Sequence, residues 1–248
     1  MSGVEDSLVS PVSPADPPLL TFYDDASGSR VALTAPELGR LASSVTSLLS
    51  SCGLGLGSRV AVLLPPHWQT AAALLGAWSA GVAVSFRLSA TAGLPALDSA
   101  VEPFDAVFVS RGALDDWLVD VPAATHRLLF DVGDEKRPVA TPSGYREFLP
   151  SVAMHAGDPD PMVFLRATDP ASADGTTYAQ WGSIAVEIAR QASLCRGDRL
   201  LIDGAAHEHP VKWLLAPLSA GASVVLCANL DRSRLESRVA AERVTRVL

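Results

Sequence analysis

The residues best suited to nucleotide chemistry lie between Phe164 and Gly182, in the segment FLRATDPASADGTTYAQWG. The segment falls between a predicted strand and a predicted helix, where backbone amides and the helix dipole can bind a phosphate. Its hydroxyl and glycine residues that could contact such a ligand are Thr168, Gly175, Thr176 and Thr177. A segment in such a position can serve as a phosphate loop.

The same segment lacks several groups that a phosphate site needs. It has no lysine and a single glycine before its tryptophan. Pro170 has no amide proton to donate, and Asp169 and Asp174 place negative charge where a phosphate would bind. The loop is therefore predicted to be degenerate, although Asp169 stays among the candidate ligand-binding residues.

Two histidines, His207 and His209, flank Glu208 in the segment AAHEHPVKW. A zinc site needs a third protein ligand, and none lies nearby in the sequence, so no metal site is predicted. We expect both side chains to pack in a loop. His67 follows two prolines and is predicted to begin a helix.

Three closely spaced glycines, Gly53, Gly55 and Gly57, do not form a dinucleotide fingerprint. That motif has a strand before it and a helix after it, whereas here a predicted helix precedes and a predicted strand follows. The sequence has no G-x-S-x-G motif to place a serine nucleophile. Its cysteines have no paired base, so a hydrolase is not predicted.

The elements that would position these residues alternate between strands and helices. Residues 19–23 and 30–33 predict a hairpin, and Thr34 with Glu37 predicts a capping box that starts a helix ending at Gly53. Further strands are predicted at residues 59–64, 82–86, 106–110, 127–130, 162–166, 199–202, 223–227 and 244–248. Further helices are predicted at residues 68–78, 95–100, around 117, 181–192, 211–220 and 231–241. This order predicts an α/β fold with mostly parallel sheets flanked by helices.

The chain divides into four predicted parts. Residues 1–18 are a disordered leader, residues 19–133 a first α/β subdomain, and residues 159–248 a second, truncated α/β subdomain. Residues 134–158 connect the two, because they are rich in charge, proline and glycine and have no sustained periodicity.

Composition excludes several function classes. The 248 residues are 48% hydrophobic, which is enough for a hydrophobic core that needs no disulfide or metal ion to stabilise it. The net charge of −8 opposes a nucleic acid or an acidic membrane, so neither partner is expected. Apolar runs fall short of the roughly 20 residues of a membrane span. The widely spaced Cys52, Cys195 and Cys227 are expected to be buried thiols in a reducing cytoplasm.

Two long segments resemble the opening part of the AMP-binding, adenylate-forming superfamily, which includes acyl-CoA synthetases, luciferases and peptide-synthetase adenylation domains. They are LTAPELGRLASSVTSLLSSCGLGLGSRVAVLLPPHWQTAAALLGAWSAGVAV and GDRLLIDGAAHEHPVKWLLAPLSAGASVVLC. The segment LDRSRLESRVAAERVTRVL is similar to the helix and strand that come next, so the resemblance covers residues 19–248. In length the chain also resembles a short actinobacterial family of stand-alone proteins, from which no activity carries over.

The resemblance implies the N-terminal part of such an enzyme. The superfamily's adenine-binding strand, its ribose-binding aspartate and its C-terminal domain with the catalytic lysine come after the point that this sequence reaches, so we expect none of them here. The superfamily's phosphate loop approximates YTSGTTGxPKG, and two alignments are open: Ala167–Gly175 against the whole loop, or Asp174–Thr177 against SGTT. In the second alignment Tyr178, Ala179 and Gln180 replace the glycine, proline and lysine.

We expect a non-catalytic ligand-binding or scaffold protein, with no catalytic residue and no metal ligand assigned. The resemblance places His207 at the wall of an acyl pocket. The candidate ligand-binding residues are Thr168, Asp169, Gly175, Thr176, Thr177 and His207. No cofactor is expected, and ATP or AMP with Mg would bind only if the degenerate loop kept its function.

Two alternatives stay open. One is a remnant acyl- or aryl-adenylating enzyme, an acid–adenylate ligase that depends on a partner for its missing parts. The other is a homodimer or heterocomplex subunit that pairs through the strand at residues 244–248, since exposed strand edges are normally covered. For the ligand-binding protein and for the partner-dependent enzyme, the expected ligand is an acyl or nucleotide-like small molecule.

Overall fold

An antiparallel hairpin begins the described structure. The computed structural model describes residues 17–88, 103–116, 121–132, 140–159 and 161–248. Strands β1 (Leu20–Asp24) and β2 (Ser29–Leu33) pair along their full length, with Leu20 opposite Leu33. The predicted hairpin is confirmed.

Helix α1 (Ala35–Ser51) starts at the predicted capping box. The Thr34 hydroxyl accepts the Glu37 amide at 3.4 Å, and the Glu37 carboxylate accepts the Thr34 amide at 2.8 Å. These two bonds satisfy amides that a helix start would otherwise leave unpaired. The helix ends before Gly53, whose φ of +75° suits a glycine in the left-handed region.

Five strands form an all-parallel sheet. They are β3 (Arg59–Leu63), β4 (Ala83–Phe86), β5 (Phe104–Ser110), β6 (Ala124–Phe130) and β7 (Arg146–Glu147). Their order is β4-β3-β5-β6-β7, and we call this the parallel sheet. Helices α2 (Trp68–Ser79), α3 (Arg111–Asp115) and α4 (Phe148–Ala153) follow β3, β5 and β7.

The C-terminal half supplies the rest of the secondary structure. Its strands are β8 (Arg199–Asp203), β9 (Ser223–Ala228) and β10 (Arg246–Val247). Its helices are α5 (Tyr178–Gln191), α6 (Ala216–Ala220) and α7 (Leu235–Ala241). One π-helical turn (Val211–Leu215) precedes α6, and one 3-10 turn (Arg232–Arg234) precedes α7.

The second sheet combines strands from both ends of the chain. Its order is β10-β8-β9-β1-β2, and we call it the mixed sheet because only β1 and β2 are antiparallel. Strand β1 pairs in parallel with β9, so that Leu20 lies opposite Val224. The N-terminal hairpin therefore belongs to the sheet built by the C-terminal half, and the two sheets do not divide the chain at a single boundary.

A shared hydrophobic core joins the two sheets. It takes Phe22 and Leu226 from the mixed sheet, Val62 and Phe108 from the parallel sheet, and Leu74 from α2. The neighbours of Val62 in β3 point to a separate cluster on the opposite face, as the two-residue period of a strand requires. Helices α1 and α2 contribute many of the buried residues of the shared core.

The strand predicted at residues 162–166 is absent, so that prediction is wrong. Met162 and Phe164 are 84% and 81% exposed, and no described strand pairs with the segment. A run of apolar residues indicates a strand only where a neighbouring strand accepts its backbone hydrogen bonds. The surrounding structure supplies none here.

Other differences from the sequence analysis are smaller. The segment predicted as a connection contains β7 and α4, and Phe148 of α4 stacks on Phe130 with ring centroids 3.9 Å apart. Cys227 is buried and Cys52 half-buried, but Cys195 is exposed in the turn after α5, contrary to expectation. The helices predicted at residues 95–100 and around 117 lie outside the described residues, as does most of the predicted leader.

Within the described part of the chain, no helix combines the length and apolar character that crossing a membrane requires.

Glu242, which follows α7, connects strands of the mixed sheet. Its carboxylate accepts hydrogen bonds from Tyr23 at 2.5 Å, from Arg30 at 2.8 Å and from Arg199. Burial by itself would raise the pKa of Glu242, but these hydrogen bonds outweigh it and lower the pKa to about 2. The carboxylate is therefore ionised wherever the protein is near neutral pH.

We predict that Gly76→Ala destabilises the protein by about 1–3 kcal/mol, as overpacking typically does. A Cβ at this position of α2 would lie 2.5 Å from Val45 Cβ and 2.7 Å from the Ala42 carbonyl oxygen. The matched control is Gly39→Ala in α1, where a Cβ meets nothing within 4 Å, and there the better helix propensity should add about 0.5–1 kcal/mol. Urea unfolding measures both, and equal effects would contradict the close approach of α1 and α2.

We also predict that Glu242→Gln lowers stability by about 2 kcal/mol near neutral pH, the usual size of hydrogen bonds to a charged group. Because the folded pKa lies below the unfolded value of 4.5, this contribution is present above pH 4.5 and is lost as the pH falls toward 2. Urea unfolding at a series of pH values should show the two proteins converging. Parallel curves between pH 6 and pH 2 would argue against the prediction.

Candidate functional site

Residues 166–179, which we call the loop, fold back on themselves at the edge of the parallel sheet. Pro170 and Thr177 form an antiparallel bridge, and Ser172 forms a parallel bridge to Val84 of β4. The Val84 amide donates to the Ala171 carbonyl at 3.1 Å, and the Val84 carbonyl accepts the Ala173 amide at 2.9 Å. The loop is thus an extension of the sheet.

The two aspartates of the loop accept amides of the loop itself. The Asp169 carboxylate accepts the Arg166 amide at 2.7 Å, and the Asp174 carboxylate accepts the Thr176 amide at 2.9 Å. Backbone amides that converge on an anion are the basis of a phosphate cradle. Here the carboxylates of Asp169 and Asp174 already accept the two amides, in the place of a bound anion.

Backbone amides at the start of α5 are also bonded to side chains of the protein. Thr177 and Gln180 form a second capping box, in which the Gln180 side chain accepts the Thr177 amide at 2.8 Å and the Thr177 hydroxyl accepts the Gln180 amide at 3.3 Å. In one of the two open alignments Gln180 stands at the lysine of a phosphate loop. In this protein it satisfies a helix terminus instead.

Three aromatic side chains hold the loop against α2 and α5. The Trp78 indole donates to the Ala171 carbonyl at 3.1 Å, and the Trp181 indole donates to the Ser172 hydroxyl at 2.7 Å. The Tyr178 hydroxyl donates to the Trp78 carbonyl at 2.7 Å. Burial, with a smaller effect of the nearby Asp169 charge, raises the pKa of Tyr178 to about 12, so the phenol stays a donor.

The structure places five of the six predicted ligand-binding residues in this one loop. Thr168 is exposed, and Gly175 lies in its turn with a φ of +88°. His207 lies elsewhere, after β8, half-buried and with a buried Nδ1 that has no described hydrogen-bond partner. The other histidine of this segment, His209, contacts α5. Its ring stacks on that of Trp181, with the ring centroids 5.3 Å apart.

His209 has the packing role that the sequence predicts. Its ring also lies 5.4 Å from that of Phe86, and its Nδ1 accepts the Val211 amide at 3.3 Å. Burial, helped by the charge of Lys212, lowers the pKa of His209 below its usual value. No group of three or more metal-binding side chains occurs in the described ranges, His207 and His209 included.

A cavity of about 280 Å³ lies at the carboxyl ends of β1, β8 and β9, beside the turn that follows β3. We call it the edge cavity. It is lined by Phe22, Asp24, Leu64, Pro65, Pro66, His67, Gly204, Ala205, Glu208, Ala228 and Asn229. This cavity was not predicted from the sequence, although polar residues at the ends of neighbouring parallel strands are a recognisable signal.

His67 lines the edge cavity and begins α2, as predicted. Its Nδ1 accepts the Gln69 amide at 3.2 Å, so the ring proton is on Nε2. The residue is only 5% exposed, and its ring lies 4.2 Å from that of Phe22 in an edge arrangement. Burial lowers the pKa of His67 to about 3, despite the charge of Asp24, so the imidazole is neutral near pH 7.

Asp24 brings a negative charge to the same cavity. Its carboxylate accepts hydrogen bonds from Asn229 at 2.7 Å, Ser27 at 2.8 Å and the Ala26 amide at 3.0 Å. Burial opposes ionisation, but these bonds outweigh it and lower the pKa of Asp24 below its usual value. The carboxylate is therefore charged and fixed in place.

A second cavity of about 220 Å³ lies between the loop and the turn before β3. Gly175 and Pro170 of the loop line it, together with Gly81 and Arg59. Arg59 is the basic residue of this cavity, and its guanidinium lies over the Phe104 ring at 5.1 Å.

No family model matches the chain. A TIGR03089 family protein of Mycobacterium tuberculosis (strain ATCC 25618 / H37Rv) is 33% identical over 254 residues, an alignment that covers 98% of this chain and 96% of that protein. The two chains therefore correspond over nearly their whole lengths.

Solved structures share the fold at lower identity. The acetoacetyl-CoA synthetase from Streptomyces lividans is 18% identical with a TM-score of 0.69, over 98% of this chain and 41% of that one. The N-terminal domain of FACL13 from Mycobacterium tuberculosis is 18% identical with a TM-score of 0.61, over 91% and 57%. This chain thus spans about half the length of these structures and has the α/β fold of the N-terminal domains of adenylate-forming enzymes.

We predict that Thr177→Ala lowers the free energy of unfolding by about 1 kcal/mol, because it removes the cap of α5. Thr176→Ala is the matched control, since the described hydrogen bonds of Thr176 use only its backbone. Thermal and urea unfolding compare the two variants. A loss at Thr176 as large as that at Thr177 would mean that the loop is not closed in the way described.

Proposed function

Because the chain belongs to the TIGR03089 family and has the fold of adenylate-forming N-terminal domains, we propose that it is a non-catalytic ligand-binding module that retains this fold without nucleotide activation. One observation carries the proposal. The amides of Arg166, Thr176 and Thr177 are bonded to the side-chain oxygens of Asp169, Asp174 and Gln180, respectively.

A bound polyphosphate would have to displace those oxygens. Each hydrogen bond contributes about 1 kcal/mol, and two of the acceptors are carboxylates that would stay close to the phosphate after displacement. Like charges this close repel, and the loop's single basic side chain, that of Arg166, is outnumbered by its two carboxylates. Closing the loop internally is therefore favoured over opening it for ATP.

Adenylation needs more than binding. The α-phosphate must be oriented beside a carboxylate, and the charge that develops in the transition state must be neutralised by cations or fixed donors. Arg59 is the only basic residue in the cavity beside the loop, and the loop itself contains no lysine. These features support a binding role over an acid–adenylate ligase.

The alternative is an adenylating enzyme that is completed by a partner. The likeness to acetoacetyl-CoA synthetase over 41% of that chain is what favours it. ATP titration and pyrophosphate exchange separate the two functions, because a completed enzyme must bind ATP and release pyrophosphate.

We predict that isothermal titration calorimetry with ATP and Mg²⁺, or with AMP, shows no saturable binding in the micromolar range. ATP–pyrophosphate exchange with a panel of acyl and aryl acids should likewise give no signal above that of a heat-denatured sample. Circular dichroism before each titration confirms that the protein is folded.

Saturable micromolar ATP binding that Thr176→Ala abolishes would contradict the proposal. Pyrophosphate exchange that appears when a partner protein is added would favour the completed enzyme instead.

A further inference from the structure

We propose that the second cavity, between the loop and the turn before β3, binds a compact organic monoanion, an oxyanion group attached to a small apolar body. The inference rests on the proposed function, since it names a site and a ligand class for the binding module. The guanidinium of Arg59 would pair with the oxyanion group.

Arg59 contributes the only charged side chain to the lining of this cavity. Its guanidinium takes part in no described hydrogen bond or ion pair, and its Nε is fully buried without a partner. Burying part of a cation without a counter-ion is unfavourable. An anion in the cavity would supply the missing negative charge.

Neighbouring groups hold the arginine without neutralising its guanidinium. The guanidinium lies over the Phe104 ring at 5.1 Å, a contact that uses its face and leaves its in-plane N–H groups for other acceptors. The Asp105 carboxylate accepts the backbone amide of Arg59 at 2.7 Å, and no described ion pair joins it to the guanidinium. The two Nη groups can therefore donate side by side to two oxygens of one oxyanion, a bidentate arrangement that is common for arginine.

The surroundings favour one negative charge on the ligand over two. No aspartate or glutamate lines the cavity. Asp174 stands between two lining residues in the sequence, however, and its carboxylate accepts the Thr176 amide at 2.9 Å. One guanidinium offsets one negative charge, whereas a phosphate dianion would bring a second charge into the neighbourhood of this carboxylate.

The remaining walls suit a small apolar body. Ala83 and Pro170 line the cavity, and Leu56 is 54% exposed beside them, so that a ligand would cover it. Gly81 keeps the wall compact, because a Cβ there would lie 3.0 Å from the Leu56 side chain. Ser172 adds a hydroxyl whose own proton no described residue accepts. At about 220 Å³ the cavity is smaller than the sites of drug-sized ligands, so the ligand must be compact.

The test uses three probes of nearly equal shape and different charge: benzoate, benzamide and benzamidine. Each is titrated into ¹⁵N-labelled full-length protein, and the amide resonances of Gly57, Gly81 and Gly175 are followed, since these residues line the cavity from three separate segments. We expect saturable shifts with benzoate, binding about tenfold weaker with benzamide, because the charge-assisted pair is lost, and no saturation with benzamidine. Phenyl phosphate, as its dianion, should bind more weakly than benzoate.

Three variants test the role of the guanidinium. Arg59→Gln should weaken benzoate binding about tenfold and leave benzamide nearly unchanged, and Arg59→Lys should weaken benzoate less, since it keeps the charge but loses the planar fork. The matched control is Arg40→Gln at an exposed position of α1, which removes the same charge and has no described side-chain partner. The control should change the binding of neither probe. Circular dichroism confirms that each variant is folded.

The inference is overturned if benzoate does not saturate, if benzamide binds as tightly, if phenyl phosphate binds more tightly, or if Arg59→Gln and Arg40→Gln behave alike. It is also overturned if benzoate shifts the amides of Gly204 and Asn229, which line the edge cavity, instead of those of the second cavity.

These outcomes are distinct from failure of the proposed function. Absence of benzoate binding together with absence of ATP binding removes only the anion site. Saturable ATP binding that Thr176→Ala abolishes overturns the proposed function whatever the benzoate result.

Discussion

The parallel pairing of β1 with β9 is the constraint on which the rest of the fold depends. It joins the first described strand to a strand near the end of the sequence, with Leu20 opposite Val224 and Asp24 opposite Ala228. Closing so long a stretch of chain costs conformational entropy, although the cost grows slowly with length. Leu20 and Phe22 of β1 and Val224 and Leu226 of β9 enter the shared core, and their burial offsets that cost.

Buried ion pairs fix the same junction. Arg238 of α7 donates to Asp25, which follows β1, at 2.5 Å, and its guanidinium lies 4.3 Å from the centre of the Tyr23 ring. Arg199, which is mostly buried, and the half-exposed Arg30 converge on Glu242. The buried charges of Arg238, Asp25 and Glu242 depend on their partners, because a buried charge left alone is strongly unfavourable. The hairpin is therefore held in one position relative to the C-terminal strands and α7.

This geometry separates the loop from the edge cavity. The loop is an extension of the parallel sheet, and its carboxylates and Gln180 satisfy its own amides. The edge cavity exists only because β1 is paired with β9, which brings Asp24 and Phe22 beside Gly204 and His67. A fold shared with the N-terminal domains of adenylate-forming enzymes thus has, in this protein, a loop with internally bonded amides in one place and a cavity lined by Asp24 and Glu208 in another.

The sequence by itself determined the features that depend on neighbouring residues. The Thr34–Glu37 capping box, the hairpin, the alternation of strands and helices, and the placement of His67 at a helix start all follow from local spacing. Tertiary structure alone decided which strands pair. It placed the hairpin beside β9, left residues 162–166 without a partner strand, and assembled the edge cavity from four separate segments. The physical reason is that a hydrogen bond within a turn or helix needs only nearby residues, whereas strand pairing and cavity shape depend on distant ones.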